Sequence, residues 1–126
     1  MTEWLLPSAE IVESIHDLVL NDGELSGLAR DKSLSGALAR VENRLAYGMI
    51  GDVFGLAAAY AMAIAQGHCF NDANKRTAYR VMQVVLELNG ARAPRVEPEV
   101  TGQKIIALAQ GKIDDADLAD WLRDHP

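Results

Sequence analysis

The nine residues His68-Cys69-Phe70-Asn71-Asp72-Ala73-Asn74-Lys75-Arg76 bring an imidazole, a carboxylate, an amide and two cations into one short stretch. Moving a phosphoryl or nucleotidyl group requires a base for the incoming hydroxyl, a carboxylate to hold Mg²⁺, and donors that neutralise phosphate oxygens. His68, Asp72 and the Asn74-Lys75-Arg76 run fill those three roles in order. The apolar pattern that resumes near Asn74 places Lys75 and Arg76 in the first turn of a helix, where the macrodipole opposes each cation by ~0.3–1 kcal/mol. A bound phosphate would reverse that sign, and the unpaired N–H groups of the same turn would point at it.

Each residue also has an ordinary reading. A lone histidine after a helix can be a plain exposed side chain, and Asp72 or Asn74 can be a cap. Phe70 reads as a buried anchor that pins the loop. Cys69 reads as a small apolar filler, because no base and oxyanion donors surround it in sequence. Arg80, one turn further on, can reach a phosphate or sit in a salt bridge. His16 and His125 read as surface or boundary residues. A metal-dependent nuclease is disfavoured, because both flanks of the loop read as helix and an acidic chain holds a polynucleotide poorly. One cysteine and three scattered histidines offer no zinc-ligand pair at metal-binding spacing.

The elements that must position this loop are helical. Ser8 can cap a helix with Ile11, Ile15 and Leu18 on one face, ending at Asn21-Asp22-Gly23. After a polar loop from Gly23 to Lys32, Ser33 can cap a second, striped by Leu34, Leu38, Val41 and Leu45. Asp52 can cap a third over Val53 to Gln66, rich in alanine and stopped by Gly67. The fourth, Asn74 to Leu88, carries apolar residues on more than one face and ends at Asn89-Gly90, which predicts the central helix. A fifth, about Glu99 to Gln110, ends at Gly111, and a sixth is capped by Asp114 or Asp115 with Leu118, Trp121 and Leu122 inward. Only Ala93 to Val96 could be extended. The expectation is an all-α bundle of about six helices forming one domain over residues 1–126.

At 126 residues with 49% hydrophobic content, the chain can bury a single core. Its formal charge of −6 argues against general nucleic-acid or anionic-membrane binding. The single cysteine and the absence of a basic-then-apolar leader lead to an expectation of a cytoplasmic protein. The apolar run from Val53 to Ala65 is too short to span a membrane.

The run from His68 to Arg76 resembles the signature loop of the Fic superfamily, His-Pro-Phe-x-Asp/Glu-Gly-Asn-Gly-Arg, and more closely its Doc branch, the death-on-curing toxins. Lys75 stands where Fic nucleotidyltransferases have Gly, and Tyr79 stands where their second Arg would fall. Ile15-His16-Asp17, Gly27-Leu28-Ala29-Arg30-Asp31 and Leu86-Glu87-Leu88-Asn89-Gly90 extend the likeness over roughly Pro7 to Leu122. The resemblance implies a toxin that is a protein kinase, passing the γ-phosphate of ATP, with Mg²⁺, to a threonine of elongation factor Tu. It also implies a Phd-type antitoxin whose C-terminal segment folds onto the toxin. Carried over by position, His68 is the base and Asp72 orients substrate or holds the metal. Asn74, Lys75 and Arg76 bind the nucleotide phosphates, and Phe70 pins the loop. Cys69 and Ala73 depart from the Pro and Gly of the pattern. A Fic-type nucleotidyltransferase and a catalytically silent antitoxin-binding module are the competing readings.

Overall fold

A computed structural model describes residues 3–126 and contains six helices: α1 (Ala9–Val19), α2 (Leu34–Ala46), α3 (Val53–Gly67), α4 (Asn74–Leu88), α5 (Pro98–Ala109) and α6 (Asp115–Asp124). Four helix starts are set by short polar side chains that accept a first-turn N–H. Ser8 accepts from Ile11, Ser33 from Gly36, Asp52 from Gly55, and Asp114 from Asp117 in a reciprocal capping box. Pro98 opens α5, where its missing N–H costs nothing. Among the described residues no β-strand forms. The 93–96 stretch runs as irregular chain, with Pro94 unable to donate to a ladder.

The centre of the bundle is α3, not α4 as the apolar spread of α4 predicts. The α3 helix packs on α2, α4, α5 and α6, and buries Leu56, Ala57, Ala58, Ala59, Tyr60, Ala61, Ile64 and Ala65. Its run of alanines lets neighbouring backbones approach from several sides, so small side chains decide centrality here and bulky ones do not. The α4 helix buries one stripe (Thr77, Ala78, Val81, Met82, Val85, Leu86) against α3, α1 and α5, and leaves Arg80, Glu87 and Leu88 exposed.

The inward face of α1 also differs from expectation. Val12, Ile15 and His16 are buried, whereas Leu18 is 85% exposed and Ile11 46%. The true stripe runs through positions 12, 15, 16 and 19 at helical spacing. A polar residue in its middle hid it from a hydrophobicity reading. His16 is thus no surface or boundary residue: it is 1% exposed. No helix is long and apolar enough to cross a membrane among the described residues.

Candidate functional site

The loop between α3 and α4 begins with a reversal of chain direction at His68 rather than at the expected Gly67. Gly67 is still helical, and His68 caps α3 in the left-handed region, with φ 49° and ψ 40°. The glycine serves space instead of conformation: a Cβ on Gly67 would stand 3.1 Å from the Cys69 sulfur. The reversal sends Cys69 and Phe70 inward, each 2% exposed. Burial pushes the Cys69 thiol up, so the thiolate that nucleophilic chemistry needs is disfavoured.

The Phe70 ring lies flat on His16, with centroids 3.9 Å apart and planes 9° from parallel. The His16 Nε2 donates to the carbonyl of Asp72 at 2.8 Å. Asn74 closes the loop on itself: its Oδ1 accepts from Phe70 N–H at 3.1 Å and its Nδ2 donates to Phe70 C=O at 2.9 Å. Its Oδ1 and one Nδ2 hydrogen are engaged inside the loop, so what Asn74 can still offer an anion is its backbone N–H and the second Nδ2 hydrogen. Ala73, the N-cap of α4, is left-handed (φ 63°, ψ 28°) and can supply no side-chain acceptor.

A second segment, which the sequence reads only as a polar connection, stitches the loop from outside. Ala29 N–H donates to Cys69 C=O at 2.7 Å and Asn71 N–H donates to Gly27 C=O at 3.2 Å, around a bridge between Leu28 and Phe70. Asn71 Nδ2 donates to Ser26 C=O at 3.0 Å, and Leu25 N–H donates to Asp72 Oδ2 at 2.8 Å. The second carboxylate oxygen of Asp72 is not used in that bond. Nearly all these contacts involve main-chain groups, which every residue carries, so side-chain types could not announce them. Gly27, at φ 87°, is a local sign of an unusual turn where the two segments meet.

The α4 N-terminus opens into a cleft of about 440 Å³ lined by Glu24, Asp72, Ala73, Asn74, Lys75, Arg76 and Tyr79, with Gly102, Ile105 and Ile106 of α5 opposite. The structure therefore brings Asp72, Asn74, Lys75 and Arg76 together. His68 is exposed on the loop and does not line the cleft. The other two histidines are tied to backbone carbonyls, of Asp72 and Trp121. Arg80 bonds Gln83 Oε1 at 3.3 Å and lies 3.7 Å from the Glu87 carboxylate, along α4 and outside the cleft lining.

The two cations of the first turn differ. Arg76 is held by the carboxylate of Glu24 and the carbonyl of Val19. The hydrogen bond between them lowers the Glu24 pKa and raises that of Arg76. The anion that answers the dipole argument at Arg76 is thus already within the chain. Lys75 is exposed and, among the described residues, has no ion-pair partner. Among the described residues no group of three His, Cys, Asp or Glu could hold a metal ion. One or two carboxylates beside substrate phosphates are nevertheless what Mg²⁺ normally uses, and Asp72 fits that.

The family model described as Fic/DOC family matches residues 6–86. The protein named protein kinase doc, from Escherichia phage P1, is 37% identical over 117 residues, which cover 92% of this chain and 91% of that protein.

Proposed function

Because the chain belongs to the Fic/DOC family, we propose that it is a toxin of a toxin–antitoxin pair and a protein kinase that passes the γ-phosphate of ATP to a threonine of elongation factor Tu. The observation that carries the kinase reading is Lys75, an exposed cation in the first turn of a helix that no side chain caps, facing no carboxylate partner among the described residues. An ammonium at that place is a point-charge ligand for a terminal phosphate. The N–H groups of Ala73, Asn74 and Lys75 add donors to the same anion.

His68, exposed and so accessible to a protein target, takes the proton of the attacking hydroxyl. Asp72 orients that hydroxyl or holds Mg²⁺, its carboxylate already steadied by the Leu25 N–H. The metal would supply charge neutralisation on the phosphates. Arg76 contributes only after exchanging Glu24 for a phosphate, so nucleotide binding and that ion pair compete. Phe70 keeps the loop seated through its stack on His16.

The antitoxin in this reading is a Phd-type protein acting through its C-terminal segment, in the cytoplasm. A net charge of −6 fits a protein target better than a nucleic acid. The test uses antitoxin-free protein, a translation extract and ATP labelled at the α- or the γ-phosphate. Label from the γ-position on elongation factor Tu is the expected result. Transfer from the α-position would replace the kinase by a nucleotidyltransferase, and no transfer from either would leave a silent antitoxin-binding module.

A further inference from the structure

We propose that His16, on α1 and outside the loop, is a positioning residue for the phosphate site: by gripping the carbonyl of Asp72 it aims the N–H of Ala73 into the cleft. The inference rests on the reading that the cleft takes a phosphate. His16 is one of three buried polar residues in the described chain, with Thr77 and Thr101. Buried ring nitrogens need partners. A carbonyl oxygen only accepts, so the 2.8 Å contact with Asp72 requires that Nε2 carry a hydrogen. The flat stack on Phe70 holds the imidazole in the plane that makes this bond.

The consequence follows from peptide geometry. No peptide bond in the described chain is cis. The C=O of Asp72 and the N–H of Ala73 therefore share one plane and point in opposite directions. With the carbonyl turned toward buried His16, the N–H is turned away from it; Asp72, Ala73, Asn74 and Lys75 all line the cleft, whereas His16 does not. Ala73 is left-handed and Asn74 is helical. Successive N–H groups in such a turn form a concave nest for an anion. An L-residue holds this conformation only where its surroundings impose it, and the His16 bond to the preceding carbonyl is one such constraint.

The test follows backbone amides by ¹H–¹⁵N NMR during titration with inorganic pyrophosphate, for the wild type, His16→Phe and His16→Gln. His16→Phe keeps a ring to stack on Phe70 and lacks the donor, whereas the Gln side-chain amide can donate from about the place of Nε2. In the wild type the Ala73 and Lys75 amides shift. His16→Phe binds pyrophosphate roughly tenfold more weakly, the effect of one lost hydrogen bond, and loses the Ala73 shift. His16→Gln recovers most of both. A folded His16→Phe protein with wild-type affinity and an unchanged Ala73 shift overturns the proposal, since a histidine that only fills space would move melting temperature and not anion affinity. No shift in the wild type refutes the phosphate reading and this inference with it. Should His16→Phe not fold, the ring nitrogens of wild-type His16 decide: a proton on Nε2 supports the proposal, and a neutral ring protonated at Nδ1 overturns it.

Discussion

Asn74→Ala separates two roles that one residue type could play. Its side chain makes two bonds to the main chain of Phe70, one as acceptor at 3.1 Å and one as donor at 2.9 Å. Truncation to alanine removes both and leaves the Phe70 N–H and C=O without those partners in a half-buried loop. At ~0.5–1.5 kcal/mol net for each hydrogen bond, the loss is about 2 kcal/mol. For a chain of this size each kcal/mol moves Tm by roughly 4 °C, so Tm falls by about 8 °C. Urea unfolding at constant m-value gives the free energy directly. Asn71→Ala is the control: it removes two exposed side-chain bonds, to Ser26 C=O at 3.0 Å and, more weakly, to Leu28 C=O at 3.5 Å, and costs less. Transfer activity in Asn74→Ala falls because the loop that carries His68 and Asp72 has lost its internal brace. If instead stability stays within about 0.5 kcal/mol of wild type and only phosphate transfer is lost, the side chain is a phosphate ligand and the brace argument fails.

Ala73→Gly relieves a left-handed alanine worth about 1–2 kcal/mol and gives back about 0.4–1 kcal/mol in unfolded-chain entropy. The expected result in urea is a net stabilisation of about 1 kcal/mol, and a loss of stability would show that the conformation is not strained. Lys75→Ala should raise stability by ~0.3–1 kcal/mol, by removing a cation from a helix N-terminus, while lowering ATP affinity and γ-phosphate transfer; unchanged affinity by calorimetry would refute its role. His68→Ala should abolish transfer with an unchanged circular dichroism spectrum and Tm, and full activity would remove the base assignment. Asp52 both caps α3 and bonds Arg123, at 2.6 and 3.0 Å. The Arg123 hydrogen bond holds the Asp52 carboxyl below its ordinary value of 3.8. Its contribution is therefore full above that value and is lost as pH falls through the lowered one. The Tm gap between wild type and Asp52→Asn should stay constant from about pH 7 to about pH 5 and close below the ordinary aspartate range; a gap that widens on acidification would reverse the sign.

Helix starts are legible in this chain because Ser8, Ser33, Asp52 and Asp114 act through bonds three residues long, which a sequence displays directly. The ends of α4 are as readable, and so is the gathering of Asp72, Asn74, Lys75 and Arg76, since all four stand on one loop and one first turn. What lies hidden is long-range. The burial of His16 depends on Asp72, 56 residues away, and on Phe70 beside it in the same loop. The Glu24 carboxylate that neutralises Arg76 comes from a connection with no regular element, 52 residues earlier. The centrality of α3 comes from four neighbours meeting on a helix with no charged residue, apolar all round, whose small alanines carry less apparent weight than the bulkier residues of α4.

The pairing of Gly27–Ala29 with Cys69–Asn71 has a consequence for the order of folding. The α3–α4 hairpin is local and its helices can form early, but the loop between them acquires its shape only when a segment some 45 residues upstream closes onto it. That closure costs loop entropy which helix formation does not repay. The native shape of the loop should therefore appear after the bundle has collapsed. In the native state the amides of Ala29 and Asn71 should exchange with solvent by local opening, well before those of the α3 core. A nascent chain would then hold its helices before it holds the loop that joins α3 to α4.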